Sequence, residues 1–266
     1  MHPLHIAIAP ADYLRASGEV FAVFDQQDSG NLSYGVAIAG ERWFVKTAGL
    51  PGDVRRLDHA GRVALLRNAV RVAATPHRAL APLRAVIESP HGPMLVYDWC
   101  AGELVGTPAA RRGDPDSAFQ RFRALPLATL CGALDTIFEL HAELARAGWV
   151  ASDFYDGCLL HDFATGELRV IDLDSYRDAP FANDMGRMFG STRFMAPEEF
   201  ELGARIDHAT TAFALGRAGL VVLGEGRAFR GSPAQLAVLE TASAPERERR
   251  HAGPEALLAA WRAASP

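Results

Sequence analysis

The chain has 266 residues, of which 49% are hydrophobic, so it can bury a sizeable core, and this composition argues against long disordered segments. Its net charge of −5 argues against a general nucleic-acid binder, and no apolar run approaches the length of a membrane span. We therefore expect no nucleic-acid partner and no membrane. The three cysteines, Cys100, Cys131 and Cys158, are scattered and odd in number, and we interpret them as reduced thiols of a cytoplasmic protein.

Strand patterns dominate the first part of the chain. Alternating or aromatic-rich segments predict strands at residues 19–24, 34–39, 42–47, 84–87 and 94–97. Together these segments predict one sheet of about five strands, which is a common sheet size. A short helix is predicted near residues 11–15. A longer helix is predicted over residues 61–74, where apolar residues recur at intervals of three and four.

Lys46 lies on the third predicted strand and is the only lysine among 27 basic residues. Arginine presents a wide planar fork, whereas lysine is a compact point charge on a thin stem. One retained lysine therefore indicates a task that arginine does not perform. The alternative is a solvent-facing strand residue that was left there by chance.

Helical patterns dominate the rest of the chain. Residues 107–121 are polar and predict an exposed loop, and residues 127–146 predict a long amphipathic helix. His141 falls on the apolar stripe of that helix, where we expect a core histidine rather than a ligand. Further helices are predicted to begin near Thr211 and to run over residues 254–263.

Two acids, Asp153 and Asp172, flank a predicted hairpin. Between them lie Cys158, a turn at residues 164–166 and a strand-like run at residues 168–171. A hairpin brings its two ends together, so both carboxylates can reach one site.

Three further stretches complete the pattern. Residues 30–37 read G-N-L-S-Y-G-V-A, residues 43–46 read W-F-V-K, and residues 190–198 read G-S-T-R-F-M-A-P-E. Taken in order with the two acids, they resemble the glycine-rich loop, the strand lysine, the catalytic loop, the metal-binding acid and the activation segment of protein kinases. The resemblance extends over nearly the whole chain.

This resemblance implies an α+β, bilobal protein-kinase-like fold. Residues 1–98 would form a small β-rich N-lobe, and residues 99–266 would form a larger helical C-lobe. It also implies ATP and Mg as cofactors and a protein as the substrate. Lys46 would contact the inner phosphates of the nucleotide, Asp153 would be the catalytic aspartate, and Asp172 would hold the metal.

The other expected site residues carry alternatives. Gly30 and Gly35 would approach phosphates, but an ordinary hairpin turn fits the same residues. Asp98 and Cys100 would meet adenine through their backbone groups and Glu103 would meet the ribose, but a loop that leads from a strand to a helix explains them equally.

Several departures from the kinase pattern bear on activity. Cys158 stands where kinases have the Asn that holds a second Mg²⁺, and it is a soft ligand for a hard cation. Asp174 follows Asp172 at the glycine position, and it is either a solvated loop acid or a second metal carboxylate. The helix at residues 61–74 contains no acid, although kinases place a Glu near the position of residues 66–68, the last of which is Asn68.

Outside these acids, the residues before Asp153 are Ala151 and Ser152 rather than His and Arg, and Thr211 stands for an Asp that steadies the catalytic loop. The charged run at residues 246–250 predicts a solvated face, from which one arginine could pair with Glu198.

Three functions are therefore weighed. The first is a divergent Ser/Thr protein kinase, which the M-A-P-E segment favours. The second is a pseudokinase that binds a nucleotide or partners without phosphoryl transfer, which the departures favour. The third is a small-molecule phosphotransferase, which the short hairpin before Lys46 and the pair Asp172 and Asp174 favour.

Overall fold

The structure is a computed structural model that describes residues 3–27, 29–53 and 57–265. The chain divides into two compact units, Met1–Cys100 and Ala101–Pro266. Across the described residues the fold is mixed α+β, with a five-stranded antiparallel sheet and seven α-helices. The α+β class agrees with the sequence. The bilobal kinase arrangement and the lobe boundaries stay predictions.

The first unit combines the antiparallel sheet with two helices. Its elements are α1 (Pro10–Ser17), β1 (Glu19–Phe24), β2 (Leu32–Ile38), β3 (Glu41–Thr47), α2 (His59–Val72), β4 (Leu83–Ser89) and β5 (Gly92–Asp98). The strands lie in the order β1-β2-β3-β5-β4. All five predicted strands and both predicted helices of this part are present.

Side chains of β5 alternate between two apolar clusters, because successive residues of a strand point to opposite faces. Met94 and Val96 join the cluster that contains Leu14 of α1. Leu95, which lies between them, joins the cluster that contains Leu66 of α2. The sheet therefore has an α1 face and an α2 face.

The second unit is mainly helical. Its elements are β6 (Glu103–Leu104), α3 (Ala118–Ala124), α4 (Leu127–Arg146), β7 (Trp149–Val150), β8 (Leu159–His161), β9 (Leu168–Val170), β10 (Arg177–Asp178), β11 (Phe181–Ala182), β12 (Arg205–Ile206), α5 (His208–Leu223), α6 (Pro233–Ala242) and α7 (Pro254–Ala264). The short strands pair as β6-β8-β9, β7-β10 and β11-β12. Helix α4 packs on α7, and α5 packs on α6.

Helix α5 is the centre of this unit. It is apolar nearly all round, and almost every one of its residues is buried, as expected for a core helix. Among residues 3–27, 29–53 and 57–265, no helix combines the length and the apolar character that crossing a bilayer requires.

The prediction of an exposed loop at residues 107–121 is wrong in its last part. Helix α3 begins inside that range, after Ser117, whose hydroxyl accepts a hydrogen bond from the backbone N–H of Gln120 at 3.2 Å. Phe119 is buried and anchors the helix. A cap together with two buried aromatic residues, Phe119 and Phe122, orders a segment whose composition is otherwise polar.

Two glycines in helices are packed differently, so Gly→Ala changes at these two positions should have opposite effects on stability. A Cβ atom at Gly216 would lie 2.7 Å from the Cβ of Ala242 and 2.9 Å from the carbonyl oxygen of Leu239. Gly216→Ala should therefore destabilise the protein by about 1–3 kcal/mol. Gly132 of α4 has open space around it, so Gly132→Ala should stabilise by about 0.5–1 kcal/mol. Urea unfolding measures both, and a Gly216→Ala variant as stable as wild type would contradict the packing argument.

Candidate functional site

The predicted hairpin is formed by β8 and β9, and it brings Asp153 and Asp172 to one end. The two strands pair with Leu159 opposite Val170. Just beyond them, the N–H of Ile171 donates to the carbonyl oxygen of Cys158 at 2.9 Å. The thiol of Cys158 in turn donates to the carbonyl oxygen of Asp153 at 3.3 Å. Cys158 is therefore bonded to the backbone of Asp153 and to the backbone of Ile171, the residue before Asp172.

Both acids adopt a left-handed backbone conformation, with φ of 66° at Asp153 and 64° at Asp172. Within the described residues, Ala39 in the turn between β2 and β3 is the only other residue besides glycine with positive φ. Such conformations cost free energy and cluster at functional sites. The two strained positions coincide with the two acids that the sequence singles out.

The pKa of Cys158 reflects both its burial and the closeness of the two acids. Burial raises the pKa of Cys158 well above its usual range, and the nearby Asp153 and Asp172 raise it further. Burial also raises the pKa values of Tyr155 and Tyr176, and Cys158 and the same two acids add to both effects. Cys158 is therefore a neutral thiol, whereas metal binding by cysteine requires the thiolate.

Oxygen ligands remain for a cation at this end of the hairpin. Asp172 is exposed and Asp174 is buried. Among the described residues, no group of three or more His, Cys, Asp or Glu side chains is arranged to hold a metal ion. Two carboxylates fit Mg²⁺, which commonly takes one or two protein carboxylates and completes its shell with water and phosphate oxygens.

Hydrogen bonds from the helices steady the segment before Asp153. The N–H of Ala151 donates to the hydroxyl of Thr211 on α5 at 3.0 Å. Thr211 thus supplies an acceptor at the position where protein kinases, which the sequence resembles, have an acid.

His141 is buried as expected, with Nε2 at 2.7 Å from the hydroxyl of Tyr176 and Nδ1 at 2.7 Å from the carbonyl oxygen of Ile137.

Lys46 is buried on β3, directly opposite Leu95 of β5. Because paired residues of neighbouring strands share a face, Lys46 lies on the α2 face of the sheet. Helix α2 contains no acidic residue, and the side chain of Asp58 caps its first turn by accepting from the N–H of Gly61 at 2.7 Å. Lys46 belongs to the first unit and the two acids to the second, so their convergence stays a prediction.

The two glycines predicted to approach phosphates lie in different settings. Gly30 has a φ of 83° and precedes β2. Gly35 lies within β2, where an added Cβ atom would meet the ring of Phe21 at 2.5 Å and the ring of Trp99 at 2.8 Å. Packing of these two rings explains a glycine at position 35 without any ligand.

Ion pairs engage the carboxylates of two of the three residues that are expected to contact adenosine, although the expected contact of Asp98 runs through its backbone. The carboxylate of Asp98 accepts from Nε of Arg84 at 2.8 Å. The carboxylate of Glu103 accepts from Nη1 of Arg121 at 2.8 Å and 3.0 Å. Cys100 lies next to Asp98, with its thiol 3.7 Å from the carbonyl oxygen of that residue. A ribose contact by Glu103 would have to compete with Arg121.

The expected ion pair of Glu198 is formed by Arg250, which is buried, whereas Glu246, Glu248 and Arg249 of the same run are exposed as predicted. Arg250 donates to the Glu198 carboxylate with Nη1 at 2.6 Å and Nη2 at 3.0 Å, and its side chain is fully buried. Burial is the largest single influence and raises the pKa of Glu198, but the hydrogen bonds from Arg250, the backbone and Thr210, together with the charge of Arg250, lower the pKa below its usual value. The pair fixes the end of the 190–198 segment.

Glu199 is a buried carboxyl group that the sequence analysis missed. It accepts a hydrogen bond from the N–H of Ala196 at 2.7 Å and lines a cavity of about 10 Å³ together with Asp153. That volume is close to the space of one water molecule. Burial raises the pKa of Glu199 to about 8, and Glu198 and Asp153 add to the rise while Arg250 opposes it. A glutamate that follows another glutamate gives no sequence signal of burial.

No protein-family model matches this chain, and no curated protein matches it with significant similarity.

The pKa of Glu199 predicts how stability depends on pH. Between its unfolded pKa near 4.5 and its folded pKa near 8, the folded state retains a proton that the unfolded state has lost. Stability should therefore fall as pH rises through this window. Glu199→Gln removes the titrating group, so the variant should gain stability over wild type between pH 5 and pH 8, on the order of 3 kcal/mol. Chemical unfolding across this pH range, with the exposed Glu201→Gln as control, checks it. A constant difference between variant and wild type would refute the buried proton.

Proposed function

We propose that this chain is a divergent, protein-kinase-like phosphotransferase that uses ATP and Mg²⁺ to phosphorylate a Ser or Thr of a protein. The observation that carries the proposal is the pair of left-handed acids, Asp153 and Asp172, at one end of the β8–β9 hairpin. The Glu198–Arg250 pair supports it, because it anchors a segment that resembles the kinase activation segment.

The proposed roles follow from charge and position. Lys46 would bind the inner phosphates as a point charge, and a buried ammonium is stronger in this role than an exposed one. Asp172 and Asp174 would hold Mg²⁺, which when bound neutralises charge on the transferring phosphoryl group. Asp153 would accept the hydrogen bond of the incoming hydroxyl and orient it. Gly30, Asp98, Cys100 and Glu103 would contact the nucleotide.

A pseudokinase is the second candidate, and two observations favour it. Cys158 is a neutral thiol where kinases have a magnesium ligand, and α2 offers no carboxylate to Lys46. Both features weaken the second metal position and the positioning of Lys46. In this alternative the site binds a nucleotide or a partner without transfer.

Nucleotide binding is tested through Lys46. ATP with Mg²⁺ should raise the thermal unfolding temperature of the wild type, and Lys46→Met should remove most of that rise because the phosphates lose their cation. Lys46→Arg should also lose most of it, since the wider guanidinium does not fit a site built for an ammonium. Differential scanning fluorimetry measures the shifts. A full ATP response in Lys46→Met would rule out this nucleotide site.

Metal binding is tested through Asp172. Asn tolerates the left-handed conformation and keeps the shape of Asp, so Asp172→Asn should fold normally. It should lose the Mg²⁺-dependent part of the ATP shift and lower transfer of radiolabel from ATP to a protein mixture at least about hundredfold. Asp116→Asn, which changes another exposed acid, is the matched control. An unchanged Mg²⁺ response in Asp172→Asn would contradict the metal assignment. ATP binding with no label transfer in the wild type would favour the pseudokinase.

A further inference from the structure

Five arginines in the described part of the second unit form one group, the arginine cluster. Its members are Arg112, Arg123, Arg193, Arg227 and Arg230. The end of α3 organises it: the carbonyl oxygen of Arg123 accepts from Nη2 of Arg227 at 2.6 Å and from Nη1 of Arg230 at 2.5 Å. Cations are favoured at a helix C-terminus, but the partial negative charge there offsets less than one full positive charge.

Two carboxylates bond to the cluster, and both act through Arg193. Glu225 accepts from Nε of Arg193 at 3.2 Å and also from Nη2 of that residue, and Asp156 accepts from Nη1 at 2.7 Å. Arg123 donates instead to the backbone carbonyl of Glu225. The cluster of five guanidinium groups therefore keeps an excess of positive charge over its two bonded acids.

Burial and repulsion within the cluster lower the pKa values of two of its arginines, whereas the hydrogen bonds to Glu225 and Asp156 outweigh burial and raise the pKa of Arg193. The pKa of Arg123 is lowered to about 10, first by burial and then by Arg227, with smaller effects of Arg193 and Arg230. Burial and the charge of Arg230 also lower the pKa of Arg227. Like charges held this close disfavour one another, and an added anion would relieve that strain.

Part of the cluster is open to a ligand. Arg227 is exposed, and Arg112 and Arg230 are half-buried. Within the described residues, the Nε atom of Arg112 is buried and has no hydrogen-bond partner. A buried donor without an acceptor is uncommon in folded proteins, so this guanidinium keeps an unsatisfied capacity to donate a hydrogen bond.

We propose that the arginine cluster binds a phosphate-type dianion, either free or carried by the acceptor of the proposed reaction. Guanidinium forks match the oxygens of phosphate and bind them in pairs. Arg193 bonds to Asp156, which lies three residues after Asp153, so the cluster adjoins the loop that carries the proposed catalytic aspartate. Only the link to an acceptor rests on the proposed function.

Isothermal titration calorimetry with inorganic phosphate and with O-phosphoserine tests the site, at constant ionic strength set with sodium chloride. Wild type should bind both probes, and Arg227→Gln should bind them about tenfold more weakly because one exposed guanidinium is lost. Arg227→Lys should fall between the two. The matched control is Arg249→Gln, which removes an exposed arginine paired with Glu246 and should bind as wild type does.

Absence of binding in the wild type, or equal binding by wild type and Arg227→Gln, would overturn the proposal. Lys46→Met separates this site from the proposed nucleotide site, and its retained phosphate binding supports the cluster, whereas its loss would reject the assignment. Tighter binding of O-phosphoserine than of inorganic phosphate supports an acceptor group, and the reverse supports a free ion. Phosphate binding by a protein that transfers no label would leave the site standing and remove the proposed function alone.

Discussion

The pairing of β8 with β9 is the constraint on which the candidate site depends. Side chains alternate along a strand, so a slip of one residue in this pairing would turn the side chains of β9 to the opposite face and displace Asp172, which lies two residues beyond that strand. The hydrogen bond from Ile171 to Cys158 extends the pairing beyond the strands and fixes the register next to the acid. The thiol of Cys158 then ties in the backbone of Asp153. One buried residue thus holds both ends of the hairpin, which explains why a small side chain with a donor occupies it.

Hydrogen bonds from other elements support the segments around the two acids. Thr211 of α5 accepts from Ala151, His141 of α4 bonds to Tyr176, and Arg250, which precedes α7, bonds to Glu198 at the end of the 190–198 segment. The first of these shows how a departure from the kinase pattern can keep its physical role. A threonine hydroxyl accepts the hydrogen bond from a backbone N–H as a carboxylate does, but without adding a buried charge to a region that already contains several acids.

Local patterns predicted the elements of the fold far better than they predicted burial. The bounds of β1 and α4 follow from alternation and helical periodicity, which are properties of the segment itself. Helix α3 was missed because two buried aromatic residues, Phe119 and Phe122, outweigh a polar composition. The burial of Arg250 and of Glu199 was missed for a related reason, although the pairing of an arginine with Glu198 was expected: burial of a charged or acidic side chain depends on partners distant in sequence. The placement of Asp153 and Asp172 at one end of the hairpin was predictable because their spacing and the hairpin between them are both local, whereas their proposed roles stay a prediction.

The backbone of the two acids bears on whether the proposed site performs chemistry or only binds. A left-handed conformation at a residue other than glycine costs on the order of 1–3 kcal/mol, and glycine adopts it at little cost. At Ala39 a tight turn that continues into Gly40 accounts for the conformation. At Asp153 and Asp172, acids stand where glycine would adopt the same conformation at little cost. In the proposed function both carboxylates have a use, since Asp172 would bind the metal and Asp153 would orient the hydroxyl. This use of the two carboxylates favours phosphoryl transfer over passive binding. Cys158 offers no magnesium ligand, but the buried carboxylate of Asp174 provides a hard oxygen donor two residues after Asp172.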